Sequence, residues 1–424
     1  MSGVASIDVG DSAGHRPLPL RMATLIFLSF AFAYFFSALV RGVTATLAPQ
    51  FSVELGLNAG DLGLLAGAYF FGFALMQLPL GNALDRFGPR RVLLVFIAVA
   101  VFGCVAFAMA RSFIGLTVAR TLIGVGVSAC LMAPMTTFRH RFGDTAQMRA
   151  NSWMLMTGSL GMVASTLPVQ WLLPLLGWRG LFWVLALLFA LSIATIAWLV
   201  PHDAPPRMAH DSDALPSAGY RAVFRHPTFI RFAPMGVFQY GSMMAVQSLW
   251  AGPWMVQVCG YTPQQAARGL FGINVAMLVT FMSWGALVPR LYARGWTAQR
   301  LIARGVPVCL AVLIAAILLG QHAAAWVWGA FCVTCTVVSL SQPAIGQAFP
   351  AALAGRALSA YNLLIFVGVF FLQWGIGLAI DGFKALGWTV ESSFQGAFAL
   401  LALCCVMSFV WFLHRDDRTP APAR

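Results

Sequence analysis

Between two long apolar runs the chain reads Gly81-Asn82-Ala83-Leu84-Asp85-Arg86-Phe87-Gly88-Pro89-Arg90-Arg91. The flanking runs, residues 62–80 and 92–110, are each about as long as a helix that crosses the hydrocarbon core of a bilayer, which takes about 20 residues. Because the connection is so short, the two helices must lie side by side. Its basic residues predict that it faces the cytoplasm, where Lys and Arg accumulate in the loops of membrane proteins.

The composition of the whole chain predicts the same class of protein. Of its 424 residues, 60% are hydrophobic and only 9% are charged, whereas soluble domains carry about 25% charged residues. This apolar content suffices for roughly twelve spans of about 20 residues each. The sequence therefore predicts an all-α polytopic membrane protein with twelve transmembrane helices in two six-helix bundles.

The apolar runs locate the twelve predicted spans, which we number one to twelve in chain order. The predicted spans are 22–47, 61–80, 92–110, 113–138, 151–176, 181–200, 229–256, 265–288, 301–319, 323–345, 358–380 and 392–413. A polar, proline-rich stretch divides them into two sets of six, as a linker does. We therefore expect a tail at 1–21, a bundle at 22–200, a linker at 201–228, a bundle at 229–413 and a tail at 414–424.

The net charge of +13 is explained by topology. With both termini in the cytoplasm, 20 of the 26 basic residues fall on the cytoplasmic side, as the positive-inside rule predicts. We therefore expect the bilayer, and no nucleic acid, as a partner, and we expect a monomer. Short loops without a large soluble insertion favour a bacterial inner membrane.

The basic connection resembles the loop between the second and third helices of the major facilitator superfamily of secondary transporters. That resemblance implies alternating access through two parallel six-helix halves. It also implies that the connection holds the halves together while the cytoplasmic side is shut; the simpler interpretation is an ordinary basic loop in which Asp85 caps a helix. The predicted gating residues are Gly81, Asp85, Arg86, Gly88, Arg90 and Arg91.

A second resemblance to the superfamily lies in span four, which contains Arg120-Thr121-Leu122-Ile123-Gly124-Val125-Gly126. Ile123 departs from the family pattern, where glutamine is common. A cation inside a membrane helix is costly unless it faces a wet cavity or a partner. Arg120 is therefore predicted to assist substrate binding, and the alternative is that its side chain extends to the outer interface.

Arg41 follows a long apolar run in span one and is predicted to bind the substrate. Residues 41–95 resemble the anion:cation symporter branch of the superfamily, in which a span-one arginine binds an organic anion. A guanidinium offers a planar pair of donors to a carboxylate or phosphate. The alternatives are extension to the interface or pairing with Glu54 or Asp61.

Polar side chains in the second half suggest the rest of a cavity. Gln239, Gln247 and Trp250 lie in span seven and Asn362 in span eleven, and we predict that all four contact the substrate. The competing interpretation is that such groups join helices to one another. Gly241, and Gly252 with Pro253, are expected to let span seven bend or break.

The sequence does not identify an ion that is transported together with the substrate. Proton symporters often use a carboxylate inside the membrane, and none lies deep in a predicted span. Three mechanisms are compatible with the sequence. Protons could pass through Glu54, Asp61 or Asp381, they could be carried with the substrate, or transport could occur without protons. The resemblance favours import with protons.

Three other functions compete with the transport of an organic anion. Drug or metabolite efflux is the main alternative, although residues 157–161 depart from the glycine-rich signature of exporters. Copper uptake is suggested by Met243-Met244 and Cys332-x-x-Cys335, because soft Cu(I) prefers sulfur ligands. No catalytic constellation or cofactor motif is recognisable, so neither an enzyme nor a cofactor or resident metal is expected.

Overall fold

The computed structural model describes residues 19–201 and 216–415, and within these ranges every regular element is a helix. The predicted tails up to residue 18 and from residue 416, and linker residues 202–215, lie outside the described residues. The all-α membrane fold predicted from the sequence is confirmed.

The first half contains six spans in the predicted order. Span one is Leu20–Glu54, span two is Ala59–Leu75 with Gln77–Phe87, and span three is Pro89–Met109. Span four is Phe113–Val127 with Ala129–Arg141. Spans five and six are built from Asp144–Ala164 and Leu167–Leu199, the latter interrupted at Gly177, whose φ is 62°.

The second half begins after a short helix, Pro216–Arg225, in the described part of the linker. Span seven comprises Pro227–Pro234, Met235–Tyr240, Gly241–Ala245, Val246–Trp250 and Ala251–Gln257. Spans eight and nine are Pro263–Ala293 and Ala298–Leu319. Span ten comprises Ala325–Cys335, Thr336–Leu340 and Ser341–Ala348. Spans eleven and twelve are Ala351–Ala385 and Val390–His414.

The helix order is consistent with twelve spans. Among the described residues, nine helices are long and apolar enough to cross a membrane, or ten if the bent pair in span two counts as one. Spans five and seven are the two that this count omits. Span five shares a helix with span six across Gly177, and span seven is divided into segments that are each too short to be counted.

Spans two and seven depart from regular α-helix. Span two bends by 44° between Leu75 and Gln77, because the ring of Pro79 clashes with the carbonyl group four residues earlier and removes one helical hydrogen bond. Span seven widens into π-helix at Met235–Tyr240 and Val246–Trp250. Gly241, one of the positions at which the sequence predicted a bend or break, lies between these two π-helical segments. Such segments are common at functional sites.

The connections between spans alternate between two faces of the molecule. We call the face that carries Gly88, the 142–143 connection and the linker the linker face. The other is the distal face. Contacts between neighbouring ends support this arrangement: Arg90 donates to the carbonyl of Ala197 at the linker face, at 2.7 Å, and Trp178 donates to Glu54 at the distal face, at 2.6 Å.

The two bundles are sealed against each other at the distal face. Spans two and eleven approach so closely that a methyl group at Gly63 would lie 2.3 Å from the carbonyl oxygen of Gln373, and one at Gly377 would lie 2.2 Å from that of Ala59. Asp381 adds two hydrogen bonds, accepting from the backbone N–H groups of Ala59 at 3.2 Å and Gly60 at 2.6 Å. The distal end of the bundle interface is therefore closed.

Candidate substrate cavity

A cavity of about 620 Å³ lies between the two bundles. Spans one and five form its wall on the first bundle, and spans seven, eight and ten form the wall on the second. In span five the lining runs over residues 152–162 and in span eight over residues 274–285. Those are the halves of both spans nearer the linker face, so the cavity extends from the middle of the molecule toward that face.

Arg41 brings the only formal charge to the described lining of this cavity. The phenol groups of Tyr34, Tyr69 and Tyr240 lie near its guanidinium, which is 5.8 Å from the ring centre of Phe73. Its Nε has no hydrogen-bond partner among the described residues, and no described carboxylate forms an ion pair with it. A cation removed from bulk water without a counter-ion is costly, and this one is therefore suited to an anionic ligand.

The two carboxylates considered as partners for Arg41 are engaged elsewhere. Glu54 forms an ion pair with Arg179 and accepts a hydrogen bond from Trp178. Asp61 accepts from the backbone N–H of Asn58 and takes part in the capping box of span two. Arg41 is thus left facing the cavity.

Arg120 lies behind Arg41, outside the cavity lining. It is 1% exposed, donates to the carbonyl oxygen of Val40 at 3.0 Å and to the hydroxyl of Thr44, and lies over the ring of Tyr69 at 5.5 Å. Its two acceptors flank Arg41 in sequence. Arg120 therefore fixes the segment of span one that carries Arg41, and its alternative extension to the outer interface is not observed.

Close packing within the first bundle explains the glycines that follow Arg120. A methyl group at Gly124 would lie 2.0 Å from the carbonyl oxygen of Tyr69, and one at Gly126 would lie 2.2 Å from the backbone nitrogen of Ala100. Span four therefore packs directly on the backbones of spans two and three. This contact holds Arg120 at a fixed depth behind span one.

The rest of the wall is neutral and rich in sulfur and aromatic rings. Methionine thioethers fill irregular apolar space and make favourable contacts with aromatic groups. A ligand with a flat apolar body fits such a wall. The methionine and aromatic residues that line the cavity are Tyr34, Trp153, Met156, Met162, Tyr240, Met243, Met244, Met277, Phe281 and Met282.

Gln247 is the predicted second-bundle residue that reaches the cavity. It lines the wall and donates from Nε2 to Oδ1 of Asn274, at 2.8 Å. Asn274 also lines the cavity, is 3% exposed, and donates from Nδ2 to the carbonyl oxygen of Leu270 at 2.9 Å. The structure thus joins spans seven and eight through two amides beside the cavity.

Gln239, Trp250 and Asn362 lie outside the cavity lining. Gln239 donates to the carbonyl oxygen of Cys405 at 2.9 Å, and Trp250 donates to that of Gln373 at 3.2 Å. Asn362 accepts from Gln342, which does line the cavity, at 2.9 Å. In this conformation these three residues join helices to one another.

Sequence reasoning missed Tyr34, Tyr240 and the methionines of the wall. Spacing could have found part of this set. Tyr34 precedes Arg41 by seven residues, and Tyr240, Met243 and Met244 precede Gln247 by seven, four and three. Residues at these intervals share one face of a helix.

The predicted gating residues lie at the linker face. Gly88, with φ 80°, ends one helix and begins the next. Asp85 is exposed and forms no ion pair with a described residue, and Arg86 lies 5.2 Å from the ring of Phe87. Arg91 is also exposed. A methyl group added at Gly81 would meet no atom within 4 Å, so no described helix packs closely against this position in the present conformation.

The sulfur groups do not converge on a metal site. Cys332 and Cys335 are fully buried and lie outside the cavity lining that contains Met243 and Met244. Among the described residues, no group of three or more His, Cys, Asp or Glu side chains could hold a metal ion. All eight cysteines are free, and six of them are buried.

Comparison with known proteins identifies the family. Residues 30–373 match the model of the Major Facilitator Superfamily. The chain is 28% identical to a gallate transporter of Pseudomonas putida over 47% of this chain and 44% of the relative, and 24% identical to a probable sulfoacetate transporter of Cupriavidus necator over 64% and 66%. The matches thus span less than two thirds of either relative.

A solved structure shows the same fold. The bacterial homologue of the human lysosomal transporter Spinster, in its inward-facing and unoccupied conformation, matches with a TM-score of 0.73 and 16% identity. The match covers 93% of this chain and 97% of that one. The likeness extends over almost the whole of both chains and shows that they share one fold. The chain belongs to the major facilitator superfamily.

Proposed function

We propose that the protein carries a small organic anion across the membrane and that Arg41 binds the anionic group of that substrate. The observation that carries this proposal is a guanidinium without a described counter-ion at the wall of a 620 Å³ cavity whose other described lining groups are neutral. The gallate and sulfoacetate transporters among the relatives support it, because both compounds are organic acids.

The shape of the cavity supports transport by alternating access. Its walls come from both bundles, so a bound substrate contacts both, and the distal face is closed by spans two and eleven. Movement of one bundle against the other would open the distal face and close the linker face around the same site. We propose that Asp85 and its neighbouring arginines act when the linker face is shut.

The basic residues support an orientation with the linker face and both termini in the cytoplasm. We propose a location in a bacterial inner membrane, a monomeric protein and import of the substrate together with protons. Asp381 is the described carboxylate that bridges the two bundles, and we therefore propose it as a candidate for coupling.

Ligand binding to three forms of the purified protein tests the proposal: wild type, Arg41→Gln, and Arg268→Gln, which removes an exposed charge at the start of span eight. The probes are benzoate, sulfoacetate, inorganic phosphate, tetraphenylphosphonium and Cu(I), and the readout is thermal stabilisation followed by a titration for Kd. Charged hydrogen bonds are worth about 1.5–3 kcal/mol. We therefore expect an organic anion to bind about 10- to 100-fold more weakly to Arg41→Gln and unchanged to Arg268→Gln.

Three other outcomes would contradict the proposal, and two of them would indicate a different function. An anion that binds equally to wild type and Arg41→Gln would remove Arg41 from recognition. Stabilisation by tetraphenylphosphonium alone would favour efflux of cationic drugs. Stabilisation by Cu(I) that is lost in Met243→Leu would favour metal uptake.

A further inference from the structure

The amide pair in the second-bundle wall has a fixed polarity. Asn274 is buried, and its Nδ2 donates to the backbone carbonyl of Leu270. That bond turns Oδ1 of Asn274 toward Gln247. Because Oδ1 can only accept, Gln247 donates to it from Nε2. If the Gln247 amide were reversed, its Oε1 would face Oδ1 of Asn274, and two acceptors would repel each other. In the observed orientation Oε1 of Gln247 therefore points away from Asn274 and has no partner there.

The surrounding wall does not satisfy that acceptor. Oε1 of Gln247 accepts no hydrogen bond from a described residue, while the residue itself is half-buried at the cavity. The neighbouring thioethers of Met243, Met244 and Met277 have no proton to donate. The hydroxyl of Ser248 already donates to the carbonyl of Met244 at 2.5 Å and accepts from Gln373 at 2.9 Å.

A second amide pair at the cavity lacks this fixed polarity. Gln342 donates to Asn362 at 2.9 Å, but no described group holds the Nδ2 of Asn362. Both amides of that pair can therefore reverse together. Gln342 can meet either a donor or an acceptor, whereas Gln247 requires a donor.

We propose that the substrate is a hydroxylated aromatic monocarboxylate whose hydroxyl group donates a hydrogen bond to Oε1 of Gln247. The inference rests on the proposed function, because Arg41 must hold the carboxylate. The aromatic body of the substrate then contacts Tyr34, Tyr240 and the methionines that line the cavity, since thioethers make favourable contacts with ring edges. A substrate held in this way bridges span one and span seven.

The specificity follows from an unsatisfied acceptor. A site built to hydrogen-bond a hydroxyl group rejects the analogue that lacks it, because a polar group of the protein is left unpaired. The same site also rejects a methyl ether of the hydroxyl, which keeps the oxygen but has no proton. We therefore expect at least 10-fold weaker binding of both analogues.

The test measures Kd by titration for benzoate, 3-hydroxybenzoate, 4-hydroxybenzoate and the two corresponding methoxybenzoates. Wild type should bind one hydroxybenzoate at least 10-fold more tightly than benzoate and than the matching methyl ether. Gln247→Met keeps the length of the side chain but removes Oε1, and it should reduce the preference to within twofold, because benzoate no longer leaves an unpaired acceptor and the hydroxyl group no longer finds one. The matched control is Gln257→Met, which changes an exposed glutamine at the distal end of the same span, outside the cavity lining, and should keep the full preference.

A second variant tests the same hydrogen bond if Gln247→Met does not fold. Asn274→Leu removes the partner that orients Gln247, so its amide can rotate and donate to an ether oxygen. The preference for hydroxyl over methoxyl should then fall to within about threefold.

The inference would be overturned by equal wild-type affinity for benzoate and the hydroxybenzoates, by a preference that survives Gln247→Met, or by one that is lost in Gln257→Met. Binding of sulfoacetate through Arg41 without binding of any benzoate would also overturn it, and would leave the proposed function standing. Failure of the proposed function is a separate result, in which Arg41→Gln binds every anion as wild type does.

Discussion

The carboxylate of Asp381, near the end of span eleven, accepts a hydrogen bond of 2.6 Å from the backbone N–H of Gly60 in the first turn of span two. The neighbouring N–H of Ala59 donates to the other oxygen of the same carboxylate. Free N–H groups at a helix N-terminus carry partial positive charge and favour an anion there. This contact joins the two bundles at the distal face, where the structure is closed.

The first prediction is that Asp381→Asn weakens closure of the distal face. The amide loses the negative charge and one of two acceptor oxygens, and charge-assisted hydrogen bonds are roughly twice as strong as neutral ones. We expect the distal-open population to rise about 5- to 30-fold, equivalent to about 1–2 kcal/mol. Spin labels at the exposed positions Val53 and Leu386 can report this opening as a longer distance between the two bundles.

The matched control for that measurement is Asp61→Asn. Asp61 accepts from Asn58 within the same helix terminus, so its replacement disturbs capping but breaks no contact between bundles. Equal distance distributions for Asp381→Asn and wild type would contradict a role of Asp381 in closure.

The second prediction concerns the close approach of spans two and eleven. In Gly377→Ala, the added methyl group would lie 2.2 Å from the carbonyl oxygen of Ala59, and forcing extra volume into a packed contact costs about 1–3 kcal/mol. The variant should favour the distal-open state and slow uptake into proteoliposomes at least 10-fold. Gly375→Ala, two residues earlier, meets no atom within 4 Å and should transport normally.

The third prediction assigns Arg120 a positioning role. Arg120→Lys replaces a planar pair of donors with a single ammonium group, which cannot match the geometry toward both Val40 and Thr44. We expect a loss of about 1.5–3 kcal/mol in the stability of the first bundle and weaker anion binding through the displaced Arg41. Thermal unfolding and a ligand titration on the same sample separate the two effects, and a stable variant with unchanged affinity would contradict the role.

The fourth prediction contrasts two residues of the basic connection. Asp85 is exposed and unpaired with any described cation, so Asp85→Asn should change thermal stability by no more than about 0.5 kcal/mol. Arg90 is buried and donates to Ala197 at 2.7 Å, so Arg90→Gln should destabilise the first bundle by about 1.5–3 kcal/mol. If Asp85 acts in the other conformation, Asp85→Asn also slows uptake despite normal stability.

A large loss of thermal stability in Asp85→Asn would contradict that assignment, because it would require a partner for Asp85 in the conformation described here. Normal uptake by the same variant would remove Asp85 from gating. The two measurements are independent and can be made on one preparation.

Much of the fold could be predicted because membrane spans are governed by local composition. A helix in lipid must satisfy its own backbone groups and present apolar side chains, so runs of apolar sequence marked the spans to within a few residues in most cases. The sequence predicted a bend or break of span seven at Gly241 or at Gly252 with Pro253, but it did not predict π-helix. Gly241 lies between the two π-helical segments, whereas at Gly252 the chain packs against the carbonyl of Ala45.

The sequence by itself determined the membrane class, the order of the spans and the presence of Arg41 in an apolar helix, because these depend on composition and distance along the chain. The tertiary structure decided which side chains share the cavity. It placed Gln247 at the wall and Gln239, Trp250 and Asn362 between helices, although all four are polar or amphipathic residues in similar surroundings. The physical reason is that the rotation and partners of each helix depend on contacts between distant segments, such as Arg120 with Val40 and Asp381 with Gly60.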